Sequence, residues 1–269
     1  MEWKNIYRGV MMGISDLVPG VSGGTIAVLL GIYDQLIAAI NGLFSKDWKK
    51  HLSFLIPLVL GVGSAILAFS HLISWLLKNH ESLTHYFFLG LIIGIIPFLL
   101  RESKAFTTFR WRHAGLLLLG VILISLIPID QTEGALMTNL SLSSYLLLFF
   151  AGIAASAAMI LPGISGSFVF LVLGTYNTIT TAVTTLNLKI MIPVAIGIGI
   201  GILSMSKLIH FFLTHFRTAT FAFIIGLVIG SVFLIFPGMA TTLPGWMGSI
   251  ILCLLGFGVA YLLGKIEYE

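Results

Sequence analysis

The sequence Leu17-Val18-Pro19-Gly20-Val21-Ser22-Gly23-Gly24 interrupts a long apolar segment near the start of the chain. A second sequence of the same type, Leu161-Pro162-Gly163-Ile164-Ser165-Gly166-Ser167, interrupts another apolar segment. We name these the first break (residues 17–24) and the second break (residues 161–167). Backbone that is not helical leaves N–H and C=O groups unpaired in hydrocarbon, and it is tolerated at membrane depth only where it is buried in protein or lines a cavity. The two breaks therefore predict a binding site within the membrane.

The composition is that of a membrane protein. Of the 269 residues, 58% are hydrophobic and only 9% are charged, whereas about 25% of the residues of an ordinary globular chain are charged. Several apolar runs approach the roughly 18–20 residues that cross a bilayer as a helix. The 29 glycines also suit membrane helices, because small residues let helices pack closely. We expect an all-α integral membrane protein whose residues 1–269 form a single membrane domain.

The charged residues and the cysteine exclude other classes of protein. The net charge of +4 does not indicate nucleic acid, because the basic residues fall between apolar segments, as the topology of a membrane protein requires. The single Cys253 excludes an internal disulfide. The histidines show no metal-ligand spacing, so the sequence predicts neither a metal site nor a cofactor. Asp16 interrupts the short apolar run after Lys4 and Arg8, which argues against a removable signal peptide.

The apolar segments follow the same order twice. A broken segment comes first in each half and is interpreted as a re-entrant helical hairpin, because the first half's portion before its break is only about ten residues and too short to span. Three full transmembrane helices follow each hairpin. The predicted segments are 9–40, 52–77, 86–100 and 114–129 in repeat 1 (about 1–135), and 145–183, 190–213, 221–236 and 246–263 in repeat 2 (about 136–269).

Two constant offsets in residue number relate the halves. The first offset aligns the breaks, with Pro19, Gly20, Ser22 and Gly23 matching Pro162, Gly163, Ser165 and Gly166. The second offset, slightly shorter, aligns the next two spans, with Gly61, Gly90 and Gly94 matching Gly197, Gly226 and Gly230. An internal repeat is typical of transporters, whose site lies where the repeats meet. Because each repeat has an odd number of full spans, we expect the two halves to be inverted.

The distribution of lysine and arginine predicts the orientation. If each hairpin returns to the side it entered from, eleven of the 14 basic residues lie on one side: Lys4, Arg8, Lys46, Lys49, Lys50, Arg101, Lys104, Arg110, Arg112, Arg217 and Lys265. By the positive-inside rule, both termini are then cytoplasmic and the protein lies in the cytoplasmic membrane. In the alternative topology the first hairpin is a single span, which places Lys46, Lys49 and Lys50 on the other side and weakens the bias.

Small hydroxyl and glycine residues follow both Pro-Gly pairs. The candidate binding residues are Ser22, Gly23, Gly24 and Thr25 after Pro19-Gly20, and Ser165, Gly166 and Ser167 after Pro162-Gly163. A helix N-terminus presents unpaired N–H groups and a partial positive charge, which together suit an anion, above all phosphate. The alternative is structural: the Pro-Gly pairs only turn the chain, and the serines cap helices.

Three charged residues could assist an anion site. Asp16 lies one turn before the first break, where an intramembrane carboxylate could carry a coupling proton. Alternatively, the Asp16 side chain faces cytoplasmic water at the mouth of the hairpin. Lys207 lies within a span and either snorkels to the interface or attracts a phosphate, and Arg8 could attract a phosphate at the cytoplasmic mouth.

At the breaks the sequence resembles the polyprenyl-phosphate (undecaprenyl phosphate) transporter family. The resemblance rests on the run from Ser15 to Thr25 and on the later Pro162-Gly163-Ile164-Ser165-Gly166-Ser167, and it covers essentially the whole chain. It implies a translocase that recycles the lipid carrier of cell-wall synthesis across the cytoplasmic membrane. Its partner would be polyprenyl phosphate, whose phosphate head fits the anion site and whose isoprenoid tail would fit an apolar groove open to lipid.

Two other functions stay open at this point. Undecaprenyl-pyrophosphate phosphatases resemble this chain in their re-entrant hairpins and Pro-Gly-x-Ser motif, but in that family an arginine follows the serine and a nearby helix carries paired glutamates. Here Gly23 and Gly166 stand in the arginine's place, and phosphoryl transfer needs cationic stabilisation of developing charge. We therefore expect no enzyme. The other alternative is a transporter of another small anion, with a closed, water-lined site.

Overall fold

The structure is a computed structural model that describes residues 1–18, 20–126, 136–137, 140–239 and 242–268. Pro19, a predicted break residue, lies outside the described residues, as do the last residues of the predicted span 114–129 and the loop that carries Asp130 and Glu133. All regular secondary structure in the described part of the chain is helical. Together with the apolar spans given below, this confirms the prediction of an all-α membrane protein.

The described chain forms a succession of α-helices, with a short 3-10 helix at Gly42–Phe44. In chain order the α-helices are α1 Asn5–Asp16, α2 Gly23–Leu29, α3 Tyr33–Asn41, α4 Trp48–Asn79, α5 Glu81–Glu102, α6 Ala105–Thr108, α7 Trp111–Ser125, α8 Leu142–Ile160, α9 Gly166–Val172, α10 Tyr176–Thr184, α11 Leu188–His215, α12 Arg217–Ile235 and α13 Leu243–Tyr268.

Six of the described helices are long and apolar enough to cross a membrane, namely α4, α5, α8, α11, α12 and α13. The chain is therefore a multi-pass membrane protein, as predicted. One difference concerns α8, which has 19 residues and is long enough to span by itself. Its counterpart α1 has only 12 residues. The other difference concerns the third predicted span, 114–129. Helix α7 has 15 residues and ends at Ser125, and residues 127–129 lie outside the described residues.

The helices end and restart at both breaks. Helix α1 ends at Asp16 and α2 begins at Gly23, while α8 ends at Ile160 and α9 begins at Gly166. Within the breaks, Gly20 has a φ of +85° and Gly163 a φ of +90°. A residue with a side chain is strained in this left-handed region, whereas glycine adopts it freely. Gly20 and Gly163 thus turn the backbone at equivalent positions of the two halves.

A second turn in each half was not predicted. The sequence predicted one break in each of the segments 9–40 and 145–183, at the Pro-Gly pairs. Gly31 and Gly174 both have a φ of +64°, and the chain bends there by 119° between α2 and α3 and by 118° between α9 and α10. The repeated Gly-x-Tyr sequence carried this signal, because only glycine enters that conformation without strain.

Close glycine contacts pair the helices in the same way in both halves. Helix α4 packs on α1 where Gly61 lies against the carbonyl oxygen of Ile6, and α11 packs on α8 where Gly197 lies against that of Phe149. A Cβ atom at either glycine would overlap the partner's backbone. Ile6 and Phe149 are related by the first offset, and the two glycines by the second. The offsets found in the sequence thus recur in the contacts.

The other two tight pairs join one half to the other. Helix α5 packs on α13 where Gly90 lies against the carbonyl oxygen of Cys253, and α12 packs on α7 where Gly226 lies against that of Leu117. Both members of these two contacts are related by the second offset. The second offset therefore also relates contacts of α7 and α13, and each of these helices packs on a helix from the other half of the sequence.

Ion pairs gather several chain segments at one end of the helices. Arg8 pairs with Glu267 near the end of α13. Arg217, at the start of α12, pairs with Asp34 of α3 and with Glu102 at the end of α5. We name this the basic end. The opposite, distal end holds the start of α5 and the end of α12.

Candidate functional site

The two breaks touch each other inside the protein. The Ser22 hydroxyl lies within hydrogen-bond reach of the carbonyl oxygens of Met159 and Leu161, at 3.5 and 3.4 Å. The Gly163 N–H donates to the Thr25 hydroxyl oxygen over 2.7 Å. The fold therefore joins the two segments that the sequence analysis had singled out separately.

The N-terminus of α2 is already occupied by the protein's own groups. The Gly23 N–H donates to the Asp16 carboxylate over 2.7 Å, and the Gly24 N–H donates to the Ser22 hydroxyl over 3.1 Å. Every residue of α2 is buried, and so is Ser22. An internal carboxylate thus stands where the sequence analysis expected a phosphate, and Ser22 is a helix cap.

The N-terminus of α9 is arranged differently. Ser165 makes no side-chain capping bond to its helix, and its hydroxyl lies 2.8 Å from that of Ser167. Both serines and Gly166 line a cavity of about 200 Å³, together with Asp16, Ser156 and the apolar residues Ala155, Met159, Phe170 and Ile198. We name this the site cavity. The lining is mainly apolar, and its polar members are the three serines and Asp16. The first N–H groups of a helix such as α9 have no intrahelical partner.

Asp16 connects the two breaks electrostatically. One carboxylate oxygen, Oδ1, accepts the hydrogen bond from Gly23, while Oδ2 is buried without a hydrogen-bond partner. The same side chain lines the site cavity beside Ser165 and Ser167. The equivalent position in the second half is Met159, so the pairing of a carboxylate with a helix N-terminus exists in one half only. The sequence predicted a possible role of Asp16 as a proton carrier but not its contact with Gly23.

Arg8 and Lys207 lie away from the site cavity. Arg8 is engaged at the basic end, where its guanidinium donates to Glu267 and to the Asn5 side chain. Lys207 is exposed on α11 and is not among the residues that line the site cavity. Neither geometry brings a fixed positive charge to the cavity in this conformation, and the exposed position of Lys207 fits the snorkelling alternative.

A second cavity reaches the breaks from the distal end. It has a volume of about 580 Å³ and is lined in part by Gly20 of the first break and by Phe168, the residue after Ser167. Glu81, Ser82 and His85 of α5 supply its polar lining. We name it the distal vestibule. It brings polar surface from the distal end to Gly20 of the first break and to Phe168, next to the second break.

The lining of the site cavity suits binding better than phosphoryl transfer. Among the described residues it includes neither an arginine nor a glutamate. The described glutamates belong instead to the helix ends and tails, as at Glu81 and Glu102.

Among the same described residues, none of the histidines, cysteines and carboxylates form a group of three that could hold a metal ion.

The described fold and cavities define a class: an all-helical, multi-pass membrane protein with two interrupted helices in contact near a mainly apolar cavity that also holds serines and Asp16. The model of the undecaprenyl phosphate translocase-like family (VCA0040-like) matches residues 12–242. The chain belongs to this family.

Two relatives agree with this assignment. The polyprenyl-phosphate transporter of Staphylococcus aureus (strain NCTC 8325 / PS 47) is 44% identical over 100% of this chain and 98% of its own length. The polyprenyl-phosphate transporter of Vibrio cholerae serotype O1 is 36% identical over 90% of this chain and 80% of its own length. No solved structure matches the chain.

Proposed function

We propose that this protein is a polyprenyl-phosphate translocase that moves undecaprenyl phosphate across the cytoplasmic membrane and so recycles the lipid carrier. Membership of the family and the two transporter relatives support the substrate class. The observation that carries the mechanism is the site cavity, where Ser165, Gly166 and Ser167 meet Asp16 of the other half. A site between two halves is where transporters with internal repeats bind their substrates.

In this proposal the two halves form an inverted repeat, each with a re-entrant hairpin. The equal bends of 119° and 118° and the matched positive φ angles support equivalent hairpins. The recurrence of the glycine contacts at the first and second offsets supports equivalent packing. Two such halves can rock against each other around a site that stays at their interface.

The phosphate head binds at the N-terminus of α9. Its oxygens accept hydrogen bonds from the Ser165 and Ser167 hydroxyls and from the N–H groups of Gly166 and Ser167. Support comes from the absence of a capping bond at Ser165 and from the partial exposure of α9, in which only Phe168 is buried. The first break is then held in place against the second by the residues around the start of α2, namely Ser22, Gly23, Gly24 and Thr25.

Asp16 makes phosphate binding depend on a proton. A phosphate in the site cavity would lie close to the buried Oδ2 atom of Asp16, and two anions repel strongly where water is excluded. When Asp16 is protonated, the repulsion disappears and its O–H can donate to a phosphate oxygen. Binding of the proton and binding of the phosphate therefore favour each other, by the reciprocity of linked equilibria.

The head reaches the site through water at one membrane face at a time. The distal vestibule supplies the route from the distal end, because it is half polar and touches Gly20 and Phe168. The charge distribution supports a cytoplasmic basic end that carries both termini. The distal vestibule then opens to the outside, where recycled polyprenyl phosphate must be collected.

Flipping of a fluorescent undecaprenyl phosphate in liposomes tests the proposed function. With the purified protein, we expect lipid in the outer leaflet to become protected from a membrane-impermeant quencher or binding protein, at a rate above that of empty liposomes. A proton gradient should change the rate. Liposomes with a Ser165→Val/Ser167→Val double variant provide the control for protein-induced leakage. Equal rates with wild type, variant and no protein would refute the proposal.

The phosphatase alternative is tested in the same liposomes. We expect undecaprenyl pyrophosphate to release no inorganic phosphate above the rate of protein-free liposomes. Release at a rate that depends on Ser165 would identify an enzyme instead of a carrier.

A further inference from the structure

An apolar groove of about 420 Å³ runs between α11 and α12. Met205, Leu208 and Phe212 of α11 form one wall, and Ala219 and Phe223 of α12 form the other. Since α11 packs chiefly on α8 whereas α12 packs chiefly on α7, the groove lies at the seam between two tightly packed helix pairs. We name it the seam groove.

The seam groove joins the basic end to the second break. Its shallow part is lined by Phe216, Ala219 and Thr220, next to Arg217 at the start of α12. Its deep part is lined by Tyr33 and by Leu161, the first residue of the second break. At Leu161 the groove therefore lies two residues along the chain from Met159, which lines the site cavity, although the two cavities share no lining residue.

The polar groups that line the seam groove are already satisfied. The Tyr33 hydroxyl donates to the Ile160 carbonyl oxygen over 3.1 Å. The Thr220 hydroxyl donates to the carbonyl oxygen of Phe216 over 3.0 Å. The remaining lining side chains are hydrocarbon, thioether or aromatic, so the matching ligand is a hydrocarbon chain.

The seam groove is also open to the bilayer. Leu208, Phe212 and Phe216 follow one another at every fourth position, and each is more than 40% exposed. In a membrane helix such exposed apolar side chains face lipid, so a lipid chain can enter the groove sideways.

We propose that the seam groove binds the isoprenoid chain of polyprenyl phosphate, specifically the isoprene units nearest the phosphate. This inference rests on the proposed function, which supplies the lipid and the position of its head. The volume falls within the range of pockets for small molecules and is too small for the whole chain of undecaprenyl phosphate. The isoprene units farther from the phosphate stay in the bilayer.

The seam groove contributes selectivity more than affinity. A lipid chain that moves from the bilayer into the groove exchanges one apolar environment for another, so it gains no hydrophobic free energy. What differs between ligands is the packing of their atoms against the wall, which is a sum of many small dispersion contacts. A methyl-branched isoprenoid and a linear alkyl chain present different shapes to the Phe212 and Phe223 rings, so the groove can distinguish them.

Photo-crosslinking in liposomes tests this assignment. The probe is a polyprenyl phosphate with a diazirine on an isoprene unit close to the phosphate, and labelled peptides are identified by mass spectrometry. We expect labels in residues 205–224, with undecaprenyl phosphate competing about tenfold better than a linear alkyl phosphate, because a tenfold difference corresponds to roughly ten additional dispersion contacts with the wall.

Matched tryptophan variants give the second measurement. Ala219→Trp fills the seam groove, whereas Ala195→Trp adds the same side chain at an exposed position of α11 that does not line it. We expect Ala219→Trp to lower labelling of residues 205–224 about tenfold and to lose the preference for the branched chain. Ala195→Trp should behave as wild type. If Ala219→Trp does not fold, labelling of the wild type decides the question alone.

The outcomes separate this inference from the proposed function. Labelling spread evenly over lipid-facing helices, or competed equally by linear and branched phosphates, would overturn the seam groove assignment even if the protein transports the lipid. Selective labelling of the groove without any transport in the flipping assay would support the groove and refute the translocase.

Discussion

The two serines that follow the Pro-Gly pairs occupy equivalent sequence positions but have different surroundings. Both are buried, but Ser22 accepts a hydrogen bond from Gly24, whereas Ser165 lines the site cavity and makes no capping bond. Their roles in stability and transport should therefore differ, although an alignment of the two repeats treats them as the same residue.

Alanine substitution at the two serines should separate stability from transport. Ser22→Ala removes a buried cap and should lower the free energy of unfolding by about 1 kcal/mol. Ser165→Ala should leave thermal stability in detergent nearly unchanged but lower the flipping rate roughly ten- to a hundredfold, because it removes a hydrogen bond to a charged ligand. The opposite pattern would place the phosphate at α2 instead of α9.

The Asp16→Asn substitution should uncouple transport from protons. The asparagine Oδ1 can still accept the Gly23 N–H, and its NH₂ group can donate to phosphate as a protonated Asp16 would. We therefore expect flipping that no longer responds to a proton gradient. Asp16→Ala is the control, because it loses the contact with Gly23 as well and should be less stable. An Asp16→Asn protein with the wild-type response would remove Asp16 from the coupling step.

At the scale of helices, close glycine contacts decide which helices pair. Gly90 and Gly226 each lie so close to a partner carbonyl oxygen that an added methyl group would overlap it, whereas Gly63 and Gly199 have open space around them. All four glycines lie inside helices. They differ only in what an added side chain would meet.

Alanine at these four glycines should therefore have opposite effects. Gly90→Ala and Gly226→Ala should each destabilise the protein by about 1–3 kcal/mol, the usual cost of overpacking. Gly63→Ala and Gly199→Ala should be neutral or slightly stabilising, because alanine favours helix over glycine by about 1 kcal/mol. Thermal unfolding in detergent measures all four. Similar losses at all four positions would contradict the claim that close contact with a partner helix distinguishes Gly90 and Gly226 from the other two glycines.

The sequence predicted the elements better than their local contacts. Apolar length and the Pro-Gly pairs were enough to place five of the six predicted full spans and both breaks, because hydrophobic thickness and backbone strain act locally. The bend at Gly31 was missed, since one glycine in an apolar run is also common inside membrane helices. The occupation of the α2 N-terminus by Asp16 was missed as well, because it depends on how residues 17–22 fold back and not on any periodicity.

For the molecule as a whole, the proposed topology places the basic end in the cytoplasm. The ion pairs of Arg8 and Arg217 gather the start of α1, the ends of α5 and α13, and the start of α12 at that end. The distal vestibule with Ser82 lies at the opposite end. The position of each end can be measured independently of transport.

Cysteine labelling should confirm this orientation. The only native cysteine is Cys253, so a Cys253→Ser background carries one new cysteine at a time. In intact cells, a membrane-impermeant maleimide should label Ser82→Cys and leave Ser45→Cys unlabelled until the membrane is opened. Labelling of Ser45→Cys but not of Ser82→Cys in intact cells would mean that the topology is inverted. Labelling of both in intact cells would mean that the two residues do not lie on opposite sides of the membrane.

Phosphorus-to-nitrogen distances from solid-state NMR test the central claim most directly. The sample is the protein in bilayers with bound undecaprenyl phosphate and with nitrogen-labelled glycine and serine. We predict that the phosphorus lies within about 4 Å of the Gly166 and Ser167 amide nitrogens, as direct hydrogen bonds require, and clearly farther from that of Gly23. A phosphorus close to the Gly23 amide, or far from both helix ends, would contradict the account.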